Sequence, residues 1–216
     1  MKGKAEFKWV EFNPRGGEKL TLGGELAGRA GHRPEGVVVC HPHPQFGGDM
    51  HYPLVEELSA FLAGAGLVTL RFNFRGVGGS QGRYGGGDGE VQDTLGAVDF
   101  LRAQKDFPVQ EVFLAGYSFG AWVGLRAAAR EGLKKAAGIC IPVALFSFDF
   151  LKDSKTSLLL VHGTRDQFTP LETVRELASG LASPARVEVI PGGDHFLAGR
   201  EEEVSKIVVR FLVIDD

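Results

Sequence analysis

Ser118, Asp166 and His195 are the residues of this chain whose types and settings could perform nucleophilic chemistry. A serine hydroxyl attacks poorly until a neighbouring imidazole takes its proton, and that imidazole must be held in one tautomer by a carboxylate. Ser118 lies in Gly116-Tyr117-Ser118-Phe119-Gly120, a Gly-x-Ser-x-Gly pattern in which the glycines leave room for an abrupt strand-to-helix turn. The pattern recurs at Gly78-Gly79-Ser80-Gln81-Gly82, so context must choose between the serines. Ser118 follows the apolar run Val112-Phe113-Leu114-Ala115 and opens Phe119 to Glu131, a segment of strong helix formers. Ser80 is followed by Arg83-Tyr84-Gly85-Gly86-Gly87, which cannot start a helix, and it reads as a flexible loop serine.

Asp166 comes after the run Leu158-Leu159-Leu160-Val161, and His195 after Pro191-Gly192-Gly193-Asp194. The order of serine, acid and histidine is the one this turn usually keeps. Asp194 is the rival acid. Its place beside His195 on an extended loop would point it away from the ring, and it reads instead as the N-cap of the last helix.

These residues need a sheet to hold them on one edge. Short apolar runs at 37–40, 67–74, 112–115, 137–141, 157–162 and 186–190 alternate with helical spacing at 52–64, 90–104, 119–131, 171–182 and 200–213. Segments 5–12 and 19–26 flank the turn-rich Pro14-Arg15-Gly16-Gly17 and read as an antiparallel hairpin. The expectation is a single α/β domain over 1–216: a mostly parallel eight-stranded sheet with helices on both faces and the candidate residues on carboxyl-end loops. The formal charge of −3, without a dense Lys/Arg block, gives no electrostatic reason for a nucleic-acid or membrane partner. Met1 to Val10 lacks a secretory apolar run and no later stretch reaches ~18 apolar residues, so a soluble, cytoplasmic protein is expected. Cys40 and Cys140 then read as reduced packing residues.

On these residues the chain resembles the α/β-hydrolase superfamily over nearly its whole length. Residues 36–50 and 67–82, with His41-Pro42-His43-Pro44 and Arg71-Phe72-Asn73-Phe74-Arg75-Gly76-Val77-Gly78, are similar to small, lid-poor bacterial serine hydrolases near the dienelactone-hydrolase group. The resemblance implies that Ser118, Asp166 and His195 form a catalytic triad. It also implies an oxyanion hole made by the backbone N–H of Phe119 and one N–H from the loop after Cys40. Two departures matter: dienelactone hydrolases proper carry a cysteine nucleophile, and the familiar His-Gly after the third strand is His-Pro here. Pro42 and Pro44 have no N–H, which leaves His43, with Gln45 as second choice. The implied activity is hydrolysis of a small carboxylic ester or thioester through an acyl-enzyme, with no metal or organic cofactor. The strand order usual in this superfamily would put the Ser118 strand between those of Cys40 and Cys140, ~9.5 Å apart, beyond the ~7 Å limit of a disulfide.

Three other readings stand beside this one. His41, His43, Asp49 and His51 could ligate zinc in a metal-assisted hydrolase, although His41 reads more simply as a cap on the preceding strand. The fold could also serve as a catalytically silent binding protein. The glycine-rich loops contain no Gly-x-Gly-x-x-Gly opening a helix and no Gly-Lys-Ser/Thr, which argues against a phosphate cradle. Arg75 could bind an anionic substrate or tie loops together through backbone carbonyls. Finally, 142–156 is too short for a helical cap and reads as a minimal lid. Its Leu145, Phe146, Phe148, Phe150 and Leu151 either close the core or wall an acyl pocket, with Phe146 and Phe148 as the pocket candidates.

Overall fold

The structure, a computed structural model, describes residues 6–183 and 185–214. Its eight strands are β1 (Phe7–Phe12), β2 (Leu22–Ala27), β3 (Glu35–Cys40), β4 (Val68–Phe72), β5 (Glu111–Tyr117), β6 (Lys135–Ile139), β7 (Ser157–Gly163) and β8 (Ala185–Ile190). They form one sheet in the order β1-β2-β4-β3-β5-β6-β7-β8. β1 pairs antiparallel with β2, and β2 with β4; every other pairing is parallel. The expected hairpin is therefore present, while Ala5, at its start, lies outside the described residues.

The helices are α1 (Pro53–Gly64), α2 (Asp88–Arg102), α3 (Phe119–Glu131), α4 (Leu171–Ser179) and α5 (Glu201–Val213). The period-two alternation of the central strands builds a core on each face. Val112 and Leu114 of β5 and Leu158 and Leu160 of β7 meet residues of α2, α3 and α4 such as Leu95, Leu125 and Val174. The intervening Phe113, Ala115, Leu159 and Val161 meet residues of α1 and α5, including Leu58, Val208 and Phe211. Burying apolar residues on both faces is why these strands read as unbroken apolar runs.

Most boundaries differ from the sequence reading by one to three residues, and two of the helix ends are instructive. α2 starts at Asp88, two residues early, because the Glu90 carboxylate accepts the N–H groups of Gly85 and Gly87 at 2.7 Å each and organises the glycine-rich entry. α4 ends at Ser179, before the expected 182. Cys40 ends β3 and Cys140 follows β6, with β5 between them, and both thiols are buried and free. No helix among the described residues is long and apolar enough to cross a membrane.

Candidate active site

Ser118 sits between β5 and α3 with φ 54° and ψ −118°, a left-handed conformation that side chains rarely adopt. Its N–H donates to the Ile139 carbonyl of β6 at 2.8 Å, and its own carbonyl accepts from Ala121 and Trp122, so the surrounding backbone holds the strain. Both flanking glycines are required sterically. A Cβ on Gly116 would overlap the Gly120 carbonyl, and one on Gly120 would overlap the carbonyls of Cys40 and His41. The second overlap shows how closely the start of α3 is pressed against the end of β3. The loop after Cys40 is thereby brought beside Ser118.

The Ser118 hydroxyl lies 2.9 Å from His195 Nε2, and His195 Nδ1 lies 2.8 Å from Asp166 Oδ2. With the carboxylate accepting the Nδ1 proton, Nε2 is left as the acceptor that faces the serine. Asp166 is fixed in turn, because its Oδ1 accepts the N–H groups of Phe168 (2.8 Å) and Thr169 (3.0 Å). Burial opposes ionisation of Asp166, but the hydrogen bond and charge of His195 and these two backbone donors outweigh it and hold the carboxyl below its ordinary pKa. The histidine loop is tied down by Tyr117, whose hydroxyl donates to the His195 carbonyl at 2.9 Å, and by Gln167, whose Oε1 accepts the His195 N–H at 3.2 Å.

The Phe119 N–H, at the first turn of α3, and the His43 N–H both lack an acceptor among the described residues. Gln45 is different. Its N–H donates to His43 Nδ1 at 3.2 Å, so of the two candidates on this loop His43 keeps the unengaged donor. Accepting at Nδ1 leaves the His43 proton on Nε2, 3.3 Å from the Tyr84 hydroxyl, and the ring packs against Phe119 with centroids 4.5 Å apart. A single 3-10 turn at Pro44–Phe46 completes the loop.

With this geometry in view, comparison with known proteins identifies the family. The sequence profile of the alpha/beta hydrolase domain matches residues 37–206. The chain belongs to the α/β-hydrolase family. An uncharacterised protein of Rickettsia prowazekii is 32% identical over 186 residues, spanning 82% of this chain and 78% of the relative. Among solved structures, an alpha-beta serine hydrolase homologue from Coxiella burnetii superposes with a TM-score of 0.83 at 31% identity, covering 96% of this chain and 97% of that one. A serine hydrolase without a lid from Xanthomonas campestris superposes at 0.82 with 27% identity, covering 95% and 92%.

Within this α/β-hydrolase the remaining candidates fall elsewhere. Ser80 is not a flexible loop residue: it is buried, donates to the Asn73 carbonyl at 2.7 Å and accepts the Gly23 N–H at 3.0 Å, stitching β2 to the loop after β4. Asp194 does not cap α5, whose N-cap is Arg200; its Oδ1 accepts the N–H groups of Phe196 and Leu197 in the turn just after His195. Arg75 ties loops through carboxylates rather than carbonyls, with a forked contact to buried Asp93 and a second to Glu18.

The histidine-rich loop does not assemble as a metal site, since among the described residues no three of His41, His43, Asp49 and His51 bring ligand atoms together. His41 is buried, donates from Nδ1 to the Pro42 carbonyl at 2.7 Å and accepts the Phe74 N–H at Nε2 at 3.1 Å. Burial holds its imidazole down at about 4, so it stays neutral. The grouping that does converge is Cys140, Asp166 and His195, within 4.8 Å. The acid and base there already bond to each other, and burial pushes the Cys140 thiol well above its usual pKa.

The two pocket candidates part company. Phe148 is 3% exposed and packs in the core against Phe150, which corrects its assignment to a pocket wall; Phe146 is half-buried and stacks on Trp122 at 4.2 Å. Tyr84, Tyr117, Gln167 and Cys140 were missed as supports of the site. Tyr117 carried a signal, as a tyrosine inside the Ser118 pentapeptide, but the partners of all four come from distant loops.

Proposed function

We propose that this protein is a serine hydrolase that cleaves small carboxylic esters or thioesters through an acyl-enzyme. The observation that carries this reading is the continuous relay from the Ser118 hydroxyl through His195 to Asp166. Ser118 attacks the acyl carbonyl as His195 Nε2 takes the hydroxyl proton, and the ionised Asp166 stabilises the imidazolium that forms. The N–H groups of Phe119 and His43 receive the negative charge on the carbonyl oxygen. His195 then hands its proton to the departing alcohol or thiol, and a water activated by the same imidazole releases the acid.

Strain at Ser118 supports the reading, because a left-handed backbone at a non-glycine residue persists only where the surroundings enforce it. The likeness to a lidless serine hydrolase fits the short 142–156 segment, which here makes turns and one 3-10 turn at Asp149–Leu151. The reading requires no metal or organic cofactor and takes a soluble small-molecule ester in the cytoplasm as substrate. Incubation with a fluorophosphonate probe, followed by peptide mapping, tests it. Labelling at Ser118 that is abolished in Ser118→Ala is the expected result. Labelling at Ser80, or no labelling with ester hydrolysis that chelators abolish, would overturn it.

A further inference from the structure

Large apolar side chains left in water are informative when they gather beside reactive groups, because folding alone gives no reason to keep them there. Phe168 is 44% exposed and Phe196 is 48% exposed, and both stand edge-on to the His195 ring, with centroids at 4.8 and 5.9 Å and interplanar angles of 78° and 87°. They come from different loops, one after β7 and one after β8. Each is held by a carboxylate at its backbone: Asp166 accepts the Phe168 N–H at 2.8 Å, and Asp194 accepts the Phe196 N–H at 3.0 Å. The same turns that place the acid and the histidine therefore place the two phenyl rings.

Resting on the hydrolase reading, we infer that Phe168 and Phe196 form the leaving-group subsite and select esters whose alcohol or thiol part carries a planar aromatic ring. In the second half of the acylation step, the bond from the acyl carbon to the leaving oxygen or sulfur breaks while His195 Nε2 supplies the proton. That leaving atom must come within hydrogen-bond reach of Nε2, roughly 3 Å. Substituents a few bonds beyond it sweep the space next to the imidazole, where the two exposed rings stand. The phenyl rings are nearly perpendicular to each other, 83° at 6.3 Å, and so make an open corner. A flat ring can lie offset on one wall and meet the other edge-on, the two arrangements that aromatic quadrupoles favour. A saturated ring of the same size gains the apolar contact without these arrangements. Acyl-side groups do not leave through this corner, so the selection concerns the alcohol.

The test uses acetates of primary alcohols with similar leaving-group basicity: ethyl, 3-phenylpropyl and 3-cyclohexylpropyl acetate. The wild-type protein should show kcat/KM for the phenylpropyl ester above that of the cyclohexylpropyl ester by roughly two- to ten-fold, the gain expected from one or two aromatic contacts. Phe168→Ala and Phe196→Ala should each lower this ratio, and the double variant should bring it near one. Phe168→Tyr and Phe196→Tyr, which keep the rings, should preserve it. The ratio is internal to each variant and does not depend on how much active protein is present. A wild-type ratio near one, a ratio that survives in the double variant, or an equal loss when the phenyl group is moved to the acyl side would overturn the subsite alone. No Ser118-dependent turnover of any of the esters would overturn the hydrolase reading and the subsite with it.

Discussion

Replacing Ser118 by glycine and, separately, by alanine isolates the backbone strain of the elbow from the chemistry of the hydroxyl. Both variants lose the hydrogen bond to His195, so that loss cancels in the comparison. At an ordinary position glycine is less stable than alanine by about 0.5–1 kcal/mol, because the unfolded chain gains freedom. At φ 54° and ψ −118° a residue with a Cβ is strained, by about 1–3 kcal/mol, and glycine is not. The strain relief outweighs the entropy term, and Ser118→Gly should be more stable than Ser118→Ala by ~1 kcal/mol. Urea unfolding followed by circular dichroism measures this as a higher midpoint for the glycine variant at equal slope. Ala60→Gly, at an exposed position in the interior of α1, supplies the comparison and should lose about 1 kcal/mol. A glycine variant at 118 that is less stable than the alanine variant would refute the argument that strain is stored there.

Three further predictions follow from the same geometry. Asp166→Asn should lower ester hydrolysis by ~1000-fold or more by favouring the wrong His195 tautomer, while Asp194→Asn, which touches only a backbone turn, should be mild; the reverse order would move the acid role to Asp194. Because burial holds folded His41 at about 4, below its ordinary ~6.5, the unfolded chain takes up a proton that the folded one refuses as pH falls between those values. Stability attributable to His41 is complete above ~6.5 and falls by ~3 kcal/mol on reaching ~4, so His41→Gln should show a shallower pH dependence in urea unfolding, and an unchanged slope would contradict this. With Phe148 closed into the core and 142–156 too short to form a helical cap, kcat/KM should be higher for acetyl to hexanoyl esters than for palmitoyl esters of one leaving group, measured below micelle formation; a palmitoyl preference would contradict this.

Strand and helix positions were legible because period-two and helical spacing are written into near neighbours, and the alternation of Leu158, Leu159, Leu160 and Val161 between the two cores is such a pattern. The pentapeptide around Ser118 was legible in part for a related reason: Gly116 answers a clash with Gly120 within the elbow itself, whereas Gly120 answers the carbonyls of Cys40 and His41, which only the sheet brings close. The choice of Asp166 and His195 needed only their place at the carboxyl ends of neighbouring parallel strands, which chain order and sheet topology constrain together. Ser80, Asp194 and the partners of Arg75 were misread, and Phe148 was left open between core and pocket, because each is decided by groups far away in sequence or by a turn that sets its own geometry. Ser80 meets Gly23, Arg75 meets Glu18 and Asp93, and Phe148 meets the core under α3. That the Gln45 N–H is engaged while the His43 N–H is not depends likewise on a hydrogen bond between an imidazole and a backbone N–H two residues on, which residue types alone do not specify. Local sterics and periodicity are properties of the sequence itself, whereas the partners of a buried polar group exist only once the sheet has brought distant loops to one edge.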